Sequence, residues 1–86
     1  MEKDKLERAR AVMIEVIREI AELDNDVPIS DEQDLNKDLG IDSLTAVDLA
    51  IALERELNIF MPEDELAKIT TVGELYALAT KSMAAS

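Results

Sequence analysis

The sequence has no cysteine, no histidine and no tryptophan, and Phe60 and Tyr76 are its only aromatic residues. Without cysteine there is no disulfide framework, no thiolate metal site and no cysteine nucleophile. Without histidine the commonest general base and the commonest metal ligand are missing. Hydroxyls and carboxylates are what remains for chemistry, a thin set for catalysis, so a protein that is not an enzyme is expected. Glycine and proline are also scarce, with two of each. No apolar run approaches the roughly 20 residues of a membrane span, and Met1-Glu2-Lys3-Asp4-Lys5 leads into no signal-peptide core. A soluble, cytoplasmic protein is the expectation.

What is present favours helices. Eleven Ala, eleven Leu, eight Ile and five Val supply most of the apolar mass of these 86 residues. We expect one domain over 1–86, with frayed ends at 1–2 and 82–86. The net charge of −11 argues against nucleic-acid binding and equally disfavours anionic membranes, so neither is an expected partner. The acidity is uneven: residues 1–18 carry five basic and four acidic side chains, whereas 19–80 carry three and sixteen. Such a field keeps the chain soluble and monomeric, and it also steers basic partners.

Apolar periodicity predicts a first helix from about Lys3 to Leu23, with Leu6, Ala9, Met13, Val16, Ile17 and Ile20 on one stripe. Asp24-Asn25-Asp26-Val27-Pro28 breaks it, and a long loop follows to about Ile41. Ser30 and Gln33 have capping-box spacing and suggest one helical turn within that loop. Asp42 is a good N-cap for a second helix, which runs to about Asn58. Pro62 suits the first position of a short third helix, Glu63 to Lys68. Thr71 and Glu74 form a capping box for a last helix ending near Lys81. The fold class is all-α, a small antiparallel bundle of three main helices and one short one.

The second helix has two apolar faces. On a helical wheel Ala46, Leu49, Ala50, Leu53 and Leu57 fall together, and Leu44, Val47 and Ile51 fall nearly opposite. The first face suits the core. The second, flanked by Asp48 and Glu54, suits a partner protein. Small residues at Ala46, Ala50 and Ala52 also predict a lightly filled interior beside Leu49, Leu53 and Ile69.

Asp34-Leu35-Asn36-Lys37-Asp38 has the alternating oxygen ligands that open an EF-hand loop. The sixth position must be glycine and is Leu39; the twelfth should be glutamate and is Thr45. No metal site is expected.

From Asp34 to Leu78 the order Asp-Leu-x-x-Asp-Leu-Gly-x-Asp-Ser-Leu, an acidic helix, Ile-x-Met-Pro-Glu-Asp-Glu and Ile-Thr-Thr-Val-Gly-Glu-Leu resembles the acyl carrier proteins. The resemblance implies that Ser43, beside Asp42, receives 4′-phosphopantetheine from coenzyme A through a phosphopantetheinyl transferase that uses Mg²⁺. The thiol of that arm then holds acyl groups as thioesters for fatty-acid, polyketide or related biosynthesis. It further implies acyl-transferring, condensing or reducing enzymes with basic docking patches, meeting Leu44, Val47, Asp48, Ile51, Glu54 and Glu56. An unmodified acidic adaptor using the same strip is the alternative.

The chain departs from the fatty-acid pattern in places. Thr45 and Arg55 stand where fatty-acid carriers commonly place acids, and Phe60 stands where a polar or acidic residue is usual. These departures admit a carrier for a specialised acyl group, while the Gly-Gly-x-Ser context typical of peptidyl carriers is absent. Alternation turns Ile59 and Met61 inward, leaving Phe60 either as a partner anchor or lying over the bundle surface.

Overall fold

The sequence places its strongest helix former stripes at the two ends and in the middle, and the computed structural model, which describes residues 2–85, builds on them. The elements are α1 (Glu2–Ile20), α2 (Ser43–Leu57), α3 (Glu63–Leu66) and α4 (Val72–Ala85). Helix α1 packs against both α2 and α4. Met13 and Ile17 of α1, Leu49 and Leu53 of α2, and Val72 and Leu75 of α4 form the fully buried centre. Ala9 and Val16 are buried as the stripe predicts, Ile20 is half-buried, and Leu6 near the start of α1 stays exposed.

Helix α1 stops three residues before the expected Leu23. Glu22 adopts the left-handed conformation (φ 57), the Leu23 amide donates to the Arg18 carbonyl at 2.8 Å and the Glu22 amide to the Glu19 carbonyl at 3.3 Å. This is the bonding of a Schellman end, built on a glutamate instead of the usual glycine. Arg18 then holds the outgoing chain, its Nη1 donating to the carbonyls of Asp24 (2.8 Å) and Val27 (2.6 Å).

The long loop is tied down along its length. Its Leu35, Leu39 and Ile41 side chains are buried in the core. Backbone bonds join Leu35 N–H to the Thr70 carbonyl (2.8 Å), Val72 N–H to that of Gln33 (3.1 Å) and Gly73 N–H to that of Asp31 (3.0 Å). Asp31 also pairs with Arg10, whose guanidinium lies 5.1 Å from the centre of the Tyr76 ring. The turn expected at Ser30 is present without becoming a helix: the Gln33 side chain accepts the Ser30 amide at 2.8 Å.

Three other boundaries differ from the expected ones. Pro62 is the N-cap of α3 (ψ 138) and not its first helical residue, and the helix ends at Leu66, with Lys68 and Ile69 closing i→i+3 turns. Helix α4 continues past Lys81 to Ala85, since Ser82-Met83-Ala84-Ala85 contains no stop signal and Met83 packs on the core. Residues 2 and 82–85, expected to fray, are helical; residues 1 and 86 lie outside the described residues. Among the described residues no helix is long and apolar enough to cross a membrane.

Candidate functional site

Gly40, Asp42 and Ser43 bring the long loop into α2. Gly40 takes φ +71, and a Cβ built there meets nothing within 4 Å, so the backbone conformation and not space requires glycine. Ile41 is buried beside it and anchors the turn. Asp42 follows in extended conformation (φ −82, ψ −175), and its Oδ1 accepts the Thr45 amide at 2.8 Å. That amide, with the Thr45 hydroxyl next in importance, holds the Asp42 carboxyl below the usual aspartate range.

Ser43 is the first helical residue and is exposed. Its hydroxyl takes part in no hydrogen bond among the described residues, so it is open to an electrophile. Two clefts meet at it. One, of about 260 Å³, lies between α2 and α3 and is lined by Ser43, Ala46, Val47, Glu63, Leu66 and Ala67. The other, of about 420 Å³, lies on the loop side, with Asn36, Lys37, Asp42 and Thr70 among its walls. An anionic phosphodiester on Ser43 would sit at a helix N-terminus, whose amides and dipole favour it, although Asp42 offsets part of that gain. The site therefore fits a serine-linked phosphate with a long arm.

The outward face of α2 is laid out beside the serine. Leu44 is 81% exposed, Val47 44% and Ile51 48%, while Leu49, Ala50 and Leu53 are buried. Asp48 is exposed next to them. Two residues expected on this face are placed otherwise. Glu54 is half-buried, because its Oε2 accepts the Met61 amide at 2.9 Å and fixes the loop after α2. Its carboxylate thus has a structural task, and reversing its charge would disturb that loop. Glu56 lines a depression with Val12, Glu15 and Glu19 of α1, away from the strip. Sequence reasoning could not see the Glu54–Met61 bond, since nothing local shows which carboxylate an unpaired amide will find.

The candidate cation loop binds itself. Asp34 Oδ1 accepts the amides of Asn36 (2.9 Å) and Lys37 (2.8 Å), and Asp38 Oδ2 accepts that of Asp34 (2.6 Å). Among the described residues no group of three or more acidic side chains converges as a metal site.

Comparison with known proteins agrees with this geometry. The family model for the phosphopantetheine attachment site matches residues 11–79. An acyl carrier protein of Wolinella succinogenes is 43% identical over 51 residues, covering 59% of this chain and 67% of that protein. Polyketide-8 synthase acyl carrier protein 2 of Streptomyces avermitilis is 32% identical over 69 residues, covering 80% of this chain and 78% of that one. A solved chain from Mycobacterium tuberculosis, described as an acyl carrier protein, matches with a TM-score of 0.78 and 30% identity, covering 85% of this chain and 96% of its own length. The helical bundle, the motif order and these matches together make the chain a member of the acyl carrier protein family, whose cofactor is phosphopantetheine.

Proposed function

We propose that Ser43 carries the 4′-phosphopantetheine arm and that the protein presents acyl groups to separate biosynthetic enzymes. The observation that carries this reading is an exposed serine at the first turn of α2, capped by Asp42 and open to two clefts. In the transfer, Ser43 Oγ would displace adenosine 3′,5′-bisphosphate from coenzyme A and lose its proton to a base of the transferase. The arm would supply a terminal thiol that holds the acyl group as a thioester. This chain's part is to position the attachment point, shelter the cargo and offer a docking face. Members of the family act as carriers and not as catalysts, and we assign this chain the same role. Two relatives differ in their setting, one named as an acyl carrier protein and the other as part of a polyketide synthase. The positive charge of Arg55 and the exposed Phe60 favour a specialised acyl group over the housekeeping one.

The test is intact mass after incubation with coenzyme A, Mg²⁺ and a broad-specificity transferase. One phosphopantetheine per chain is expected, mapping to Ser43. Should no transferase subtype modify the folded protein, the chain is an adaptor and the carrier reading fails.

Docking is expected to be electrostatic. Asp48→Lys should slow labelling by about fivefold at low ionic strength, and the defect should shrink as salt rises. Glu7→Lys on α1, outside the strip, is the control for net charge. Equal slowing by both variants would show that total charge matters and the face does not.

The cleft between α2 and α3 would shelter part of an acyl chain. Between holo and octanoyl forms, chemical-shift changes should reach Leu66 and Ala67. Changes confined to Ser43 and its chain neighbours would place the octanoyl group outside.

A further inference from the structure

Phe60 is 72% exposed, an unfavourable position for a side chain of such large apolar area. The segment that carries it is fixed on both sides. Asn58 ends α2 in the left-handed conformation (φ 54), and the Ile59 amide donates to the Glu54 carbonyl at 3.1 Å. The Met61 amide donates to the Glu54 carboxylate at 2.9 Å. The Ile59 and Met61 side chains are buried, and Pro62 restrains the backbone beyond them. This in-out-in alternation keeps Phe60 off the core. The backbone that carries this apolar knob is already held before any partner arrives, so little further backbone ordering entropy is lost on binding.

We infer that Phe60 is a docking anchor for a partner protein whose surface offers an apolar socket rimmed by Lys or Arg. The inference rests on the carrier reading above and adds a determinant of which enzymes the carrier serves. Charge selects the occupant. Glu63 and Asp64 open α3 just after the loop, exposed, while Glu65 beside them is paired with Lys81, so two acids follow the knob closely in the chain and ask for a cationic rim. A second copy of a chain with net charge −11 would be repelled, as would an anionic membrane. Phe60 stands beyond the C-terminal end of α2, a helix of 15 residues whose N-terminal end Ser43 opens. A transferase must bring its active site to the serine itself. An enzyme acting on the far end of a long arm is free to dock beyond the C-terminal end of α2, where Phe60 stands, and Phe60 would select that second kind.

The experiment compares the wild-type holo protein with holo Phe60→Ser and Phe60→Leu. The probes are malonyl-CoA transacylases and condensing enzymes from fatty-acid and polyketide systems, with KM for the carrier as the readout. For the enzyme with the lowest wild-type KM, Phe60→Ser should raise KM by about tenfold with little change in kcat. Phe60→Leu should recover much of the loss, and transferase labelling of both variants should stay within about twofold of wild type. An unchanged KM for Phe60→Ser, or a holo protein that none of these enzymes loads, overturns the anchor. So does a wild-type dimer in sedimentation that Phe60→Ser dissociates. Failure of every transferase to label the wild type is a different result: it removes the carrier reading, and the inference with it.

Discussion

Ser43→Ala should fold as the wild type does and accept no phosphopantetheine at all. The fold is expected to survive because Ser43 is exposed, and the cap of α2 is the Asp42–Thr45 bond, which the substitution leaves in place. Its effect on stability should be no more than about 0.5 kcal/mol, the range of ordinary surface changes. The chemical effect is all or none, because alanine has no oxygen to form the phosphodiester. Intact mass after transferase treatment reads the second point, and thermal unfolding followed by circular dichroism reads the first. Other exposed hydroxyls, Ser30 and Thr70 among them, test the assignment. If Ser43→Ala still gains one phosphopantetheine, the acceptor is one of those and the site is wrong.

Leu53→Ala should cost roughly 3 kcal/mol, the middle of the range for a buried leucine truncated to alanine. Leu53 is fully buried, in the centre where α2 meets the side chains of α1 and α4. A small domain has only about 5–15 kcal/mol in total, so this loss should lower the melting temperature by more than 10 °C, roughly. Ile51→Ala, two residues away on the outward face, removes similar apolar volume and should cost about 1 kcal/mol or less. Urea denaturation of both variants measures the difference. Equal costs would mean that the outward strip is packed in solution, and the docking face would then be lost.

The contrast between these two residues follows from α2's periodicity. A rotation of about 100° per residue separates Leu49 and Leu53 from Leu44, Val47 and Ile51 whatever surrounds the helix. Deciding which face turns inward needed only the larger set of apolar residues on one side. Helix limits were legible wherever a side chain acts on its own backbone. Asp42 caps α2 as read from the sequence, and Asn58, a residue that tolerates the left-handed conformation, ends it. Thr71 and Glu74 form their reciprocal box, with the Glu74 amide on Thr71 Oγ1 at 3.2 Å and Glu74 Oε1 accepting the Thr71 amide at 3.0 Å. The Thr70 hydroxyl, which also donates to Glu74, is the main reason that carboxyl lies below the usual glutamate range.

Tertiary contacts decided the rest. The left-handed turn at Glu22 has no signature in the residue itself; it is accompanied by Arg18 gathering the carbonyls of Asp24 and Val27. The loop before Ser43 holds its shape through Leu35, Leu39 and Ile41 in the core and through backbone bonds to Thr70, Val72 and Gly73, far away in sequence. Glu54 and Glu56 show the same limit within one helix. Both read as acids of the docking face, yet Glu54 holds the Met61 amide and Glu56, though exposed, lines a depression beside α1. Periodicity and capping act within one or two helical turns, so the residues of each element determined its faces and the ends that carry a capping side chain. Which amide a carboxylate holds, and which surface a side chain shares, depends on groups brought together only when the helices pack, and those contacts set the loop that presents Ser43 and the rigid turn that presents Phe60.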